Sequence, residues 1–315
     1  MGHIQDMLQL RSIQDLTQLM GPVSLAIGVF DGLHLGHQEV IRAAQEHAAQ
    51  HHGQAVVMSF DPHPLSVLRP ELTPKRLCGE RQRERLLMDM GVSGMLLCPF
   101  TREVAETPAE VFVSSLVQSC RPLGCISVGY TWSFGKNRSG NIHALMDLGQ
   151  QHDFAVYGVP PIRVNGEVVS STSIRDAVTV GDLSKASALL GRNYSLLGVV
   201  QEGRKLARQL GFPTANVKPE AEVLPPYGVY TVEAHVAGAW HAGIANLGIR
   251  PTVESGVVAP SLEVHLLDWS GDLYGRELEV RLGAFLRPEQ KFSDVDALLA
   301  QIQQDVRQAR SLLNA

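Results

Sequence analysis

The sequence predicts two successive domains, an α/β half on a parallel sheet and an antiparallel β half that ends in a helix. Three observations carry this. The first half alternates apolar strand-like runs with helix-like runs, the β-α-β rhythm of a parallel sheet covered by helices. From about Tyr194 the rhythm changes to short strand-like runs separated by turn residues, which suits an antiparallel barrel or sandwich. The 315 residues suffice for two cores, and 44% hydrophobic against 19% charged residues argues against disorder.

The elements follow in order. Val23 to Phe30 reads as a buried strand, and a helix runs from Gly36 to about His51. Ala55 to Phe60 is a second strand, Glu80 to Met90 a charged helix, and Met95 to Cys98 a short apolar run. Pro108 is expected in the first turn of a helix through Val117, and Cys125 to Gly129 is another strand. The shift in composition places a boundary near residue 185, with domains at 1–185 and 186–315, and Gly181 to Arg192 reads as a short connecting helix. Then come strands at Leu196 to Val200, Tyr227 to Val236, Ala239 to Ala245, Ser261 to Leu267 and Leu278 to Leu282. A final helix from about Asp294 to Leu313 has Ser293 as its expected N-cap.

Composition narrows the function. A formal charge of -5 argues against nucleic acid as the main partner. Cys78, Cys98, Cys120 and Cys125 form no C-x-x-C pair, so neither a structural zinc site nor a disulfide framework is expected. No apolar run reaches the length of a membrane span, and Asp6, Arg11 and Asp15 break any signal-peptide pattern. The expectation is a soluble cytoplasmic protein with no nucleic-acid or membrane partner.

One site stands where the first strand meets its helix, in Gly28-Val29-Phe30-Asp31-Gly32-Leu33-His34-Leu35-Gly36-His37. The carboxyl end of a parallel strand opposite a helix N-terminus is a ligand position, and the helix amides favour an anion there. Gly32 and Gly36 let a phosphate approach the backbone. His34 and His37 can both face that phosphate as donors to charge developing in a transition state. A metal site of His34, His37, Asp61 and His63 competes less well, because the glycines serve a phosphate and not a metal. The chain has no G-x-x-x-x-G-K-[ST] segment, so a P-loop is excluded. His47, His51 and His52 read as solvated residues.

Gly28-x-Phe30-Asp31-Gly32-x-His34-x-Gly36-His37 resembles the signature of the bacterial bifunctional riboflavin kinase/FMN adenylyltransferases, the FAD synthetases. Ser59-Phe60-Asp61-Pro62-His63-Pro64 is similar to that family's second-strand motif. Val128-Gly129, Phe134-Gly135, Arg138 and Gly140 are similar to its flavin- and nucleotide-side loop, and Ser170-Ser171-Thr172-Ser173-Ile174-Arg175 to its S-S-T-x-I-R motif. The resemblance implies a Rossmann-like nucleotidylyltransferase domain that adenylylates FMN to FAD. It implies catalytic roles for His34 and His37, and nucleotide or phosphate contacts from Gly28, Phe30, Asp31, Gly32, Gly36, Arg138, Ser171, Thr172 and Arg175. It implies flavin contacts from His63 and Thr131. Four positions depart from the pattern: Thr131 for Asp or Asn, Trp132 for Phe, Ser133 for Arg or Thr, and Asn141 for Asp. They leave two readings open, both activities or the kinase alone.

The second half carries Leu210-Gly211-Phe212-Pro213-Thr214-Ala215-Asn216, which resembles the riboflavin kinase motif. Asn246-Leu247-Gly248-x-Arg250-Pro251-Thr252, Leu262 to Asp268, Asp272-Leu273-Tyr274-Gly275 and Arg287-x-Glu289-x-Lys291-Phe292 follow in family order. Strand alternation puts Leu262, Val264 and Leu266 on one face and Glu263 on the other. The resemblance implies a β-barrel kinase domain in which Glu263 is the general base for the riboflavin 5′-hydroxyl. It implies Mg²⁺ on Thr214 and Asn216, with ATP as co-substrate. Gly211 and Arg208 are assigned to the nucleotide, and Arg287 to the flavin side. Glu202 and Ala207 replace a usual His and Gly, with Arg204 and Lys205 nearby as cations. A flavin- or nucleotide-binding protein without turnover is the competing class.

Overall fold

The computed structural model describes residues 7–202, 211–251 and 258–313. They form two compact units: Met1–Pro74 with Glu80–Ser170, and Lys75–Gly79 with Ser171–Ala315. Packing thus divides the chain at Ser170, ahead of residue 185.

The first unit holds a six-stranded parallel sheet of β1 (Leu8–Leu10), β2 (Val23–Ile27), β3 (Gln54–Asp61), β4 (Gly94–Pro99), β5 (Leu123–Gly129) and β6 (Ala155–Val159). Their order is β1-β4-β3-β2-β5-β6. Side-chain alternation gives the sheet two cores. Leu25, Ile27, Val56, Met58 and Leu96 enter one, and Ala26, Val57, Met95 and Leu97 enter the other. Helix α1 (Leu35–Gln50) covers the second core with Val40, Ile41 and Ala44. Helices α5 (Ala109–Ser119) and α6 (Ile142–His152) cover the first. Between β3 and α5 lie α2 (Pro64–Leu68), α3 (Glu80–Asp89) and α4 (Arg102–Ala105), and Arg163–Val164 (β7) pairs with Glu167–Val168 (β8).

Three details differ from the sequence expectation. The first strand ends at Ile27, not Phe30, because the chain bends into a turn with Phe30 at φ 53°. Pro108 is the N-cap of α5 and not a first-turn residue, and its ψ of 150° is extended. His47 is not solvated: it is 6% exposed and shares a 2.9 Å hydrogen bond with Ser24 Oγ. The residue faces the sheet one turn after Ala44, so helix geometry buries it.

The second unit begins with α7 (Ser171–Val180) packed on α8 (Leu183–Leu190). A closed antiparallel barrel follows, ordered β10-β13-β12-β11-β14-β9. Its strands are β9 (Ser195–Gln201), β10 (Ala215–Pro219), β11 (Gly228–Val236), β12 (Ala239–Pro251), β13 (Val258–Leu266) and β14 (Glu277–Pro288). Leu196, Val217, Val232, Leu247, Leu262 and Val280 are buried within it. β10, five residues long and ending at Pro219, has no counterpart in the sequence reading; β12 runs on past Ala245 to Pro251. Helix α9 (Val295–Leu313) closes the unit. Its N-terminus is capped by Asp294, not Ser293: Ala297 N donates to Asp294 Oδ1 at 2.8 Å, and Ser293 Oγ donates to the other carboxylate oxygen. Among the described residues no helix is long and apolar enough to cross a membrane.

Candidate active sites

The parallel sheet is wound outward from β2 to β3 and β4, then returns to β5 and β6 on the other side. The winding reverses between β2 and β5, and the crevice beyond their carboxyl ends is where such sheets bind ligands. The segments bounding that crevice are Gly28 to His34 after β2 and Tyr130 to Gly140 after β5.

The first segment is tightly built. Phe30, Gly32 and Leu33 have φ of 53°, 80° and 43°, a run of left-handed residues held in place by their neighbours. Gly28 N donates to Met58 O at 3.1 Å, and Ser59 Oγ donates to Val29 O at 2.9 Å. Two glycines make room for rings: a Cβ on Gly28 would come within 3.1 Å of Phe30, and one on Gly36 within 3.2 Å of His34. His34, 7% exposed, is the N-cap of α1, and its Nδ1 accepts from His37 N at 3.2 Å. An accepting Nδ1 puts the proton of a neutral ring on Nε2, the donor that ring can offer. The His34 and His37 rings stack at 3.6 Å between centroids, with Phe30 edge-on to His37 at 5.2 Å. The two predicted histidines therefore sit side by side at a helix N-terminus, with Asp31 buried in the turn before them.

The second segment explains three of the four departures. Trp132 stacks on Phe134 at 4.6 Å, and Phe134 closes the loop through paired hydrogen bonds with Gly140. Ser133 Oγ accepts from Arg138 Nε at 2.7 Å. Asn141 is the N-cap of α6 and accepts from His143 N and Ala144 N at 2.9 and 3.1 Å, a task for which Asn and Asp are about equal. Thr131 is exposed in the loop, and nothing in its contacts accounts for its replacement of Asp or Asn. His63 caps α2, with Nδ1 accepting from Leu65 N at 3.1 Å.

Ser171 and Thr172 are the first two residues of α7, in the second unit, so the N-cap position falls on Ser170. Arg175 Nε donates to Lys75 O at 2.8 Å, which fixes this cation within the same unit.

The barrel site is assembled by register. Asn216 on β10 is opposite Glu263 on β13, and Glu263 is opposite Asn246 on β12. The flanking Ala215, Val217, Leu262, Val264, Ala245 and Leu247 are buried, so the three polar residues share the outer face. Directly opposed side chains lie about 5 Å apart at Cβ. Thr214 and Asn216 line a cavity of about 500 Å³ with Trp269, Asp272 and Tyr274; Glu263 is one strand over and does not line it. His265 Nδ1 and Pro213 O lie 2.9 Å apart, which ties the start of the Pro213-Thr214-Ala215-Asn216 segment to the strand of Glu263. Gly211 turns at φ 84° just ahead of this segment. Arg208, Arg204, Lys205, Ala207 and Thr252 lie outside the described residues.

Arg287 is committed elsewhere in its own unit. Its Nε and Nη2 grip the Asp305 carboxylate of α9 at 2.8–3.1 Å, and Nη1 donates to Pro288 O. Asp305 is 2% exposed. The sequence reading assigned no role to Asn246, Glu289 or Asp305. Asn246 Nδ2 donates to Glu289 Oε1 at 2.9 Å, beside Glu263. Their family motifs were visible, but only strand register shows which residue of each reaches the site.

Comparison with known proteins agrees with this architecture. Residues 17–173 match the FAD synthetase family, and residues 190–313 match the riboflavin kinase family. Over 303 residues the chain is 37% identical to the bifunctional riboflavin kinase/FMN adenylyltransferase of Escherichia coli (strain K12), covering 96% of each. It is 38% identical over 286 residues to that of Pseudomonas fluorescens, covering 91% of each. A crystal structure described as the macrolide-efflux protein from Streptococcus pneumoniae matches 97% of this chain and 99% of its own, with a TM-score of 0.81 at 27% identity. With relatives this similar over nearly its whole length, the chain belongs to the family of bifunctional riboflavin kinase/FMN adenylyltransferases.

Proposed function

We propose that residues 186–315 phosphorylate riboflavin to FMN and residues 1–185 adenylylate FMN to FAD, each with ATP and Mg²⁺. Both activities are those of the family; the division of labour and the residue roles are the proposal. The observation that carries it is that each unit builds a polar site of its own. One is the capped histidine pair at the sheet's switch point; the other is the Asn216, Glu263 and Asn246 row on the barrel.

In the barrel, the Glu263 carboxylate accepts the proton of the riboflavin 5′-hydroxyl as the hydroxyl oxygen attacks the γ-phosphorus of ATP; the β,γ P–O bond breaks and ADP leaves. Thr214, Asn216 and Asp272 line one cavity, and their hydroxyl, amide and carboxylate oxygens are of the kind a hard cation takes. When bound there, Mg²⁺ would offset phosphate charge.

In the α/β unit, the FMN phosphate attacks the α-phosphorus of ATP and pyrophosphate leaves. No protein nucleophile is needed, so the chain's part is to position the reactants and donate to developing charge. His34 and His37 take that part, with the amides at the start of α1. Asp31, Phe30, Gly28, Gly32 and Gly36 shape the turn, Arg138 serves the nucleotide phosphates, and His63 and Thr131 serve the flavin; Ser171, Thr172 and Arg175, on α7 of the second unit, are assigned to phosphate by the family resemblance alone. Gly211 and Arg208 serve the kinase nucleotide. The four cysteines are buried and form no disulfide, in keeping with a reducing, cytoplasmic setting.

The kinase-only alternative now rests on Thr131, since the neighbouring departures have structural accounts. A time course from riboflavin, ATP and Mg²⁺ tests the reading: FMN rises first and FAD follows. FMN that accumulates without FAD would favour the kinase alone, and absence of both products would refute the proposal.

A further inference from the structure

We infer that Glu289 is a positioning residue of the barrel site, which holds Asn246 so that its amide oxygen, beside Glu263, accepts a hydroxyl of the polyol substrate. The inference rests on the kinase reading of the barrel and adds to it a contact that selects the substrate.

Three features place Glu289. Its Oε1 accepts from Asn246 Nδ2 at 2.9 Å. Its carboxylate lies where a Cβ on Gly248 would collide with it, so the strand leaves a notch for this side chain. The peptide leading to it is anchored: Arg287 Nη1 donates to Pro288 O, while the rest of the guanidinium grips buried Asp305, which also accepts from Gln301 Nε2 at 2.9 Å. A glutamate that merely faced solvent would need neither the notch nor the anchor.

The consequence follows from donor and acceptor chemistry. A carboxylate only accepts, so the corner of the Asn246 amide that faces Glu289 must be its NH₂. The other corner, Oδ1, is then an acceptor with a fixed orientation. Asn246 is directly opposite Glu263 on the same face. Together they form an edge of two acceptors, and its chemical complement is a chain with two nearby hydroxyls. The ribityl chain of riboflavin is such a polyol: its terminal hydroxyl gives its proton to Glu263, and a neighbouring hydroxyl donates to Asn246. Arg287, which the resemblance places on the flavin side, acts here by setting Pro288 and Glu289 in position.

The test is a double-mutant cycle in the full chain, measuring FMN formation from riboflavin with ATP and Mg²⁺. Glu289→Ala and Asn246→Ala are each expected to lower kcat/KM for riboflavin about tenfold, mainly through KM, the scale of one hydrogen bond held by a charged group. The double variant is expected to lose no more than either single. Glu289→Gln, whose amide oxygen can still accept from Asn246, recovers most of the loss. FAD formation from added FMN stays at the wild-type rate, which a global folding defect would not permit. An unchanged Glu289→Ala, an additive loss of about a hundredfold in the double, or an equal fall in FAD formation would overturn the inference. If the wild type makes FMN and the variants are uncoupled, only this inference fails; if the wild type makes none, the kinase reading fails with it.

Discussion

The two candidate sites are built in opposite ways. The α/β site is local: ten consecutive residues, Gly28 to His37, supply the turn, the cap, the stacked rings and the glycines that clear space for them. The barrel site is distributed: Asn216, Glu263 and Asn246 come from β10, β13 and β12 and are aligned only by register, and Glu289, the residue after β14, joins them through its hydrogen bond with Asn246. A local site is fixed by backbone conformation, so single changes there distort geometry. A distributed site depends on strand pairing and on whatever anchors its outermost segment, here the Arg287–Asp305 pair.

The sharpest way to break this comparison is to disable one site and watch the other. Glu263→Ala is expected to lower FMN formation by about 10²–10⁴-fold, the usual weight of a general base, with FAD formation from FMN intact. His34→Ala removes the cap of α1 and the ring stacked on His37, so FAD formation should fall by about 10²–10³-fold while riboflavin is still phosphorylated. Product separation by chromatography reads both. Loss of both activities in either variant would mean that the sites are not independent.

Stability measurements sharpen it further. Asp305→Ala leaves the largely buried Arg287 without its carboxylate and should destabilise the barrel unit by about 3 kcal/mol, read by urea unfolding. Asn141→Ala should cost about 1 kcal/mol as a lost cap, and Asn141→Asp close to nothing. The smallest effect is a pH dependence. Burial, and then the neighbouring His51, hold His47 below its ordinary pKa of 6.5. The unfolded chain therefore takes up this proton near pH 6.5 while the folded one resists it, so the contribution of His47 is a loss of stability as pH falls below 6.5. His47→Gln should flatten that acid limb in a series of unfolding curves.

How much was legible in the sequence follows the same division. The local site could be read because its residues are contiguous, down to His34 and His37 at the start of a helix. The distributed site was legible only as motifs: alternation placed Glu263 on the outer face, but nothing along the chain says that Asn216 and Asn246 flank it. β10 leaves no clear pattern in the sequence, because its five residues run from the end of a turn-like segment to Pro219, too short for alternation to register. The sequence pattern starts the last helix at Asp294 and puts the cap on Ser293, one residue early; both residue types cap helices, and only geometry shows that Asp294 is the cap. Asp305 could not be found at all, since a helix charge reads as solvated until its partner on another element is known.

The central claim is that one chain carries two sites that work independently. The direct test mixes the Glu263→Ala and His34→Ala chains with riboflavin, ATP and Mg²⁺. Alone, the first should form almost no FMN and the second should stop at FMN. Together they should make FAD, because FMN released by one chain is adenylylated by the other. A mixture that stops at FMN, under conditions where the wild type makes FAD, would contradict the account.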